Sequence, residues 1–552
     1  MGRPERRTLL LGWVERLRRR WSLLPSVAAL GFAVVVLVRA HLTFFEPLLW
    51  PMNFRDEGYI TAFARRMIHG HWLPYVDAVS HRGPMLYWVA ALAVRIGGAG
   101  FGPIRVLALV CSLLVVALVF AASLRARRPL AGALAAVVLA AVLVVELRPD
   151  DGLAYNAEPL LDVFALAGLS CLTVGLAPDR RGPSLPWVAA AGALAMLGAL
   201  TKQVGAVTLA PFAGWVLASS LARPGGRTGL RRTVPLLAFS AGAAAPLLLV
   251  LARYAIAGEL STLRYYLFTY NAKVYLAPFD GRAAETIRSW TVYHASWLLL
   301  AVVLVVLGLA RSLAGATRAT FWSTADRNGF LLTVAGCAGV AGAAANASLR
   351  DFPHYYLQAL PWFALLLGVL VEDYVVPTDA SAPRRAILEL AILGPAIAIT
   401  WFMSATKIDG YAKDASYRST PAICTFVRAH SSPQDSIYVW GFAADIYTFC
   451  DRRPASRYVY STFLSGFVPF FENASPAEDA ARVVPGSSAI FLSELAAERP
   501  ALVIDVPKSM GNRSIMGVPA FADYLKAYCR PTLRDGVAVF ARLDPGGTCP
   551  TP

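Results

Sequence analysis

Blocks of about twenty consecutive apolar residues recur along this 552-residue chain, and each is as long as a helix that crosses the hydrocarbon core of a bilayer. No other feature limits the fold so strongly, because backbone polar groups in lipid must be satisfied within a helix or a closed barrel. Composition agrees: 57% of the residues are hydrophobic and 16% are charged, against roughly 25% charged in an ordinary soluble domain. A chain of this size could not cover a water-facing surface with so little charge. A polytopic α-helical membrane protein is expected. A disordered chain, a repeat array and a disulfide-dense secreted module are excluded.

The expected spans are 25–46, 103–124, 129–147, 157–176, 186–200, 204–222, 233–257, 293–311, 329–348, 355–374 and 386–404, about eleven in all. The run 84–98 (PMLYWVAALAVRIGG) is short, carries Arg95 and ends in Gly-Gly, so it reads as an interfacial or partly re-entrant helix. With that run not crossing, the arginines collect on one side. The N-terminus holds Arg16, Arg18, Arg19 and Arg20, and later loops on the same side hold Arg127 and Arg128, Arg231 and Arg232, and Arg384 and Arg385. The opposite short connections hold Arg148, Lys202 and Arg350. If 84–98 crossed, every later loop would change sides and the positive-inside bias would fail at nearly every turn. The net charge of +16 therefore follows from membrane topology, and nucleic acid is not expected as a partner.

The N-terminal basic stretch leads into a full-length span without a cleavage motif. The expected organisation is a cytoplasmic N-terminus (1–24), a membrane domain (25–404) and an extracytoplasmic domain (405–552), in the inner or plasma membrane. The tail carries strand-like runs SIYVWG (436–441), ALVIDV (501–506) and VAVFAR (537–542). Helix-like stretches lie between them, SPAEDAARVV opening on a serine cap, so the tail reads as one α/β domain. Cys111, Cys171 and Cys337 fall inside apolar blocks. Cys424, Cys450, Cys529 and Cys549 fall in the tail and allow three pairings in an oxidising compartment, of which Cys424–Cys450 with Cys529–Cys549 is one.

Polar groups converge on the external face. The first external loop (47–102) opens with Asp56 and Glu57, two acids that are costly at a membrane boundary unless paired or used. Glu57 also suits the first turn of a helix, where acids complement the dipole. His81, Arg82, Gly83 and Pro84 place a cation at a helix start whose free N–H groups suit a phosphate. Asp150, Asp151, Asn156 and Glu158 gather in the second external loop, Lys202 and Gln203 follow the fifth span, and Asp351, His354 and Tyr355 precede the tenth. Taken singly, each has a bland reading as a cap, an aromatic belt or a snorkelling side chain. Taken together they differ sharply from the arginine-rich loops opposite.

No nucleotide-binding glycine loop and no H-E-x-x-H are present. An external site that lacks nucleotide donors needs a substrate carried on a lipid. A carboxylate facing Arg82 and Lys202 suits attack by a hydroxyl on a carbon that bears a phosphate leaving group. The acid would handle the hydroxyl proton and the cations the phosphate charge.

The series DEGYITAFARRMIHGHWLPYVDAVSHRGPMLYWVAAL, NAEPLLDVFALAG, LTKQVGAVTLAP and PHYYLQALPWFALLLG resembles the GT-C-fold glycosyltransferases that use polyprenyl-phosphate sugars. The branch includes protein O-mannosyltransferases and the lipid A aminoarabinose transferase, and the resemblance covers about residues 25–375. It implies inverting transfer to a hydroxyl on a lipid, glycan or protein, with Asp56 as the acid near the acceptor and Glu158 as a second catalytic acid. It implies donor contacts from Arg82, at a position where many members have lysine, and from Lys202 and His354. Glu57, His81, Gln203 and Tyr355 are the further substrate-side candidates. Some members bind a divalent metal and others do not. A transporter or flippase for a lipid-linked glycan is the principal rival; it predicts ionisable groups mid-span or duplicated halves, whereas the span interiors are nearly free of charge apart from Asp162 and Glu389 and no duplicated half is evident. A silent anchor for the tail is a third reading, and it predicts that changing Asp56 costs nothing.

Overall fold

The computed structural model describes residues 3–44, 54–177, 182–222, 232–275, 295–317, 320–347, 352–377, 380–413, 422–468, 474–534, 537–543 and 548–549. The first ten helices are α1 (Arg3–Thr43), α2 (Phe54–Ile68), α3 (Pro84–Gly97), α4 (Gly102–Arg125), α5 (Pro129–Ala141), α6 (Pro149–Gly152), α7 (Ala157–Gly175), α8 (Leu185–Thr201), α9 (Leu209–Ala222) and α10 (Val234–Ile256). Longer helices follow at Ala295–Leu313, Gly329–Asn346, Leu360–Val375 and Ala382–Lys413.

Among the described residues, eight helices are long and apolar enough to cross a membrane, including Leu23–Thr43 within α1. The other three expected spans coincide with the helices Leu185–Thr201, Ala295–Leu313 and Leu360–Val375. The protein is a multi-pass membrane protein. Small residues let its helices pack closely: a Cβ at Gly242 of α10 would lie 1.9 Å from the carbonyl oxygen of Ala189 in α8, and one at Gly192 would lie 2.1 Å from that of Phe239.

The run 84–98 forms the 14-residue helix α3. It packs on α2, α4 and the end of α8. Its proline start and its Gly98 end, at φ 95°, follow the usual asymmetry of helix termini.

The tail holds a five-stranded sheet in the order β2-β1-β3-β5-β4, with β1 at Ser436–Trp440, β2 at Arg453–Pro454, β3 at Leu502–Asp505, β4 at Thr532–Arg534 and β5 at Val537–Ala541. Strands β2, β1 and β3 are parallel, whereas β5 runs antiparallel to β3 and β4 antiparallel to β5. The three expected strands are β1, β3 and β5. β1 and β3 are buried along their whole length, which is why they read as apolar runs. Ser475 caps Pro476–Arg482 in a reciprocal capping box with Glu478. The disulfides are Cys424–Cys450 and Cys529–Cys549, and the three cysteines of the apolar blocks are free and buried.

Helix α2 is held between the bundle and the tail. A Cβ at Gly58 would lie 2.6 Å from the Cα of Asp445, so only glycine admits this contact. Tyr59 stacks on Tyr460 at 4.0 Å, and Arg66 pairs with Glu498 at 3.0 Å. On the bundle side Phe63 stacks on Tyr87 of α3 at 3.7 Å. One helix thus forms part of both cores.

Candidate functional site

The two acids at the start of α2 separate, because neighbouring positions on a helix face directions about 100° apart. Glu57, 1% exposed, meets Arg105 of α4 at 3.3 Å. Asp56 meets the Arg82 Nη2 at 2.8 Å. Glu57 is thereby turned towards α4, and the structure does not bring it together with the other candidate residues. Its place is at a helix–helix contact, where it neutralises an arginine that would be costly inside an apolar helix.

Arg82 is presented by a loop with little freedom. The Tyr75 hydroxyl donates to the Arg82 carbonyl at 2.5 Å, and the Arg82 N–H donates to Ser80 Oγ at 3.2 Å. The next residue, Gly83, donates its N–H to the Thr201 carbonyl at 3.2 Å. A Cβ on Gly83 would fall 2.0 Å from the Leu200 carbonyl oxygen, so the loop can press on the end of α8 only with glycine here. Gln203 reinforces this contact by donating to the His81 carbonyl at 2.8 Å, and Asn271 donates to the same carbonyl at 2.8 Å. Gln203 and the His81 backbone therefore brace the loop. The His81 ring lies 6.1 Å from that of Tyr270.

At the end of α8 the chain turns extended at Lys202 (φ −148°, ψ 130°) before a short 3-10 helix, Gln203–Thr208. This break directs the lysine across to α7, where its Nζ reaches Glu158 at 2.5 Å. The same ammonium sits 3.8 Å from the centroid of the Tyr355 ring, a cation–π contact. His354, one residue earlier in the 3-10 turn Pro353–Gln358, places Nε2 3.6 Å from Asp56 Oδ2 and Nδ1 3.1 Å from Asp151 Oδ1. Asp56, Arg82, Glu158, Lys202, His354 and Tyr355, drawn from five separate stretches of chain, form one linked cluster. Its members are mostly withdrawn from solvent, from Glu158 at 2% side-chain exposure to Asp56 and Lys202 at 14%.

Burial alone would raise the Asp56 pKa, but the Arg82 guanidinium and His354 together outweigh it and hold the carboxyl below its ordinary range. Burial likewise works against charge on Arg82, and Asp56 more than restores it. The pair is ionised on both sides. One guanidinium nitrogen, Nη1 of Arg82, is buried without a hydrogen-bond partner among the described residues. An unfilled cationic donor beside an ionised acid is what an incoming phosphate or hydroxyl oxygen would satisfy.

The donor set does not fit a divalent metal. The charge of Asp56 is met by a guanidinium in contact, and the two nitrogens of His354 face two different carboxylates. Among the described residues no group of three His, Cys, Asp or Glu side chains is arranged to hold an ion.

One partner, Arg105, is not among the candidates drawn from the sequence, and Asp151 figures there only as one of several polar groups on the external face. The signal for Arg105 was present, since an arginine near the start of an apolar span needs a partner. Nothing local distinguished Asp151 from Asp150, whose side chain lies outside the described residues, as does Asp351.

Residues 81–253 match the dolichyl-phosphate-mannose-protein mannosyltransferase family. This segment contains Arg82, Glu158 and Lys202. The chain superposes on ArnT from Cupriavidus metallidurans bound to undecaprenyl phosphate with a TM-score of 0.52, 18% identity, and coverage of 92% of this chain and 97% of that one. The chain has the GT-C glycosyltransferase fold. Against ArnT of the same organism in the apo state the TM-score is 0.52 at 18% identity, covering 93% and 98%. An oligosaccharyltransferase from Archaeoglobus fulgidus tethered with an acceptor peptide is also similar, at 13% identity, TM-score 0.48, and 94% and 74% coverage. No curated protein sequence matches the chain. As a GT-C fold, the chain gathers its polar residues at the face where α1 ends and α2 begins.

Proposed function

We propose that this protein is a membrane glycosyltransferase that moves a sugar from a polyprenyl-phosphate donor to an acceptor hydroxyl at the extracytoplasmic face of the plasma membrane, with inversion at the anomeric carbon. The observation that carries the reading is the cluster itself: an ionised Asp56 in contact with Arg82, beside a second acid–cation pair, Glu158 with Lys202. The match of residues 81–253 to a family that uses lipid-phosphate mannose supports the donor class.

In the step envisaged, the acceptor hydroxyl hydrogen-bonds to Asp56, and its oxygen attacks the anomeric carbon from the face opposite the phosphate. The bond from carbon to phosphate oxygen breaks, and its electron pair leaves with the phosphate. The hydroxyl proton passes to Asp56. Arg82 and Lys202 receive the growing negative charge on the phosphate, and Arg82 has a free donor with which to do so. Because Arg82 depresses the basicity of Asp56, the carboxylate serves first to orient the hydroxyl and takes its proton late in the attack.

Asp56→Asn keeps the shape and removes the charge. Transfer measured in membranes with lipid-linked sugar should fall by about 10²-fold or more, with expression and thermal unfolding unchanged. Near-normal turnover would remove Asp56 from this role.

A further inference from the structure

Asp151 lies in the four-residue turn α6, between the helix that ends at Glu146 and α7. The turn is sterically fixed. Arg148 is extended, Pro149 opens the turn, and the Asp151 and Gly152 N–H groups return to the Arg148 carbonyl at 2.9 and 2.8 Å. A Cβ on Gly152 would fall 2.3 Å from the Leu143 carbonyl oxygen, so the turn sits flush against the preceding helix. Asn156 donates to the Asp151 carbonyl at 3.4 Å. This scaffold aims the carboxylate inward, where 8% of the side chain is exposed, at His354 Nδ1.

The His354 ring is confined from several sides. Phe352 lies 5.3 Å away centroid to centroid, and Tyr355 meets it edge-on at 5.0 Å. Its two nitrogens face two carboxylates. A neutral imidazole has one N–H and could serve one of them, leaving a lone pair against the other; only the imidazolium meets both. The Asp151 contact is of hydrogen-bond length, whereas the Asp56 contact at 3.6 Å is an ion-pair distance. The ring is therefore anchored on Asp151 and faces Asp56 across a gap.

We infer that Asp151 is a positioning residue that acts through His354 to set the orientation and charge environment of Asp56. The inference rests on the glycosyl-transfer reading above. Asp151 orients the ring, so that the imidazole edge faces Asp56 opposite Arg82. Asp56 is then flanked by the guanidinium on one side and the imidazole on the other, and a fixed direction remains for the acceptor hydroxyl. The charged and titratable groups around His354 are Asp56 from α2, Asp151 from α6, Glu158 from α7 and Tyr355 beside it, with Arg82 and Lys202 held on the carboxylates.

The test uses the full-length protein in lipid nanodiscs with whichever member of a panel of polyprenyl-phosphate hexoses and pentoses the wild type turns over. Asp151→Asn should lower kcat by about 10-fold or more, because the ring loses the hydrogen bond that fixes its direction. Binding of sugar-free polyprenyl phosphate should stay within about twofold of wild type. Asp151→Glu should recover part of the rate. A wild-type kcat in Asp151→Asn, or no recovery in Asp151→Glu, would overturn the inference. So would a loss of polyprenyl-phosphate binding as large as the loss of kcat, since that marks a donor contact or a folding defect. Asp56→Asn, run in parallel, separates the two claims. If it still transfers sugar, or if the wild type turns over no member of the panel, the functional reading fails. If it is inactive while Asp151→Asn is normal, only the role of Asp151 fails.

Discussion

Two groups of paired charges lie at opposite ends of the helix bundle, and they are built differently. At the end away from the tail sheet, Glu372 accepts from the Ala131 N–H at 2.9 Å and pairs with Arg385, which also reaches Glu389 at 3.0 Å. Glu389 accepts in addition from Ser26 at 3.3 Å, while Asp373 pairs with Arg128 and with Arg311 at 3.7 Å. No buried side-chain atom of these residues lacks a hydrogen-bond partner. The cluster around Asp56 uses the same kinds of side chain but stays incomplete: Arg82 keeps an unfilled donor, and His354 stands off from Asp56. Saturated charges hold helices together. The unfilled donor of Arg82, set among other acid and cation side chains, is available to a ligand. Glu389, one of the two acids expected inside a span, belongs to the saturated kind.

The largest effect that tests this contrast is expected at the saturated end. Glu372→Ala would leave Arg385 without a partner at one carboxylate and should lower stability by about 3 kcal/mol, read as reduced thermal unfolding temperature in detergent. The turnover of the folded fraction should be unchanged. A changed donor KM with normal stability would reverse the assignment of the two regions.

At the unsaturated end the expected change is in pH dependence. Arg82→Gln removes the charge that offsets burial at Asp56, so the carboxyl should titrate at higher pH than in the wild type. Activity that depends on the ionised acid should accordingly fail earlier on acidification, and the acid limb of the residual pH–rate profile should move up. An unmoved limb would show that Arg82 does not govern Asp56.

The smallest expected effect concerns Tyr355. Tyr355→Phe keeps the ring under Lys202 and should change donor KM less than about twofold, whereas Tyr355→Ala forfeits a cation–π contact of about 0.5–2 kcal/mol. Equal behaviour of the two variants would show that the hydroxyl, rather than the ring, matters.

Much of this architecture was legible in the sequence because its causes are local. Apolar runs fix the long helices, buried parallel strands read as apolar runs, and Ser475 with Glu478 announces a helix start. The members of the cluster were legible because each interrupts an apolar pattern at the same face. Their partners were not. Which acid meets which cation depends on how helices rotate about their axes, so Asp56 and Glu57 could not be told apart until Arg82 and Arg105 were seen on different sides of α2. Strands β2 and β4, two and three residues long, are too short to show an alternation.

The position of α2 has a consequence for how proteins of this kind can diversify. The residue proposed to meet the acceptor is mounted on a beam whose other side is bolted, through Gly58, Tyr59 and Arg66, to the appended domain. Exchanging that domain for another would therefore tilt the beam as well as offer a new docking surface, so acceptor choice and reaction geometry would have to change in step.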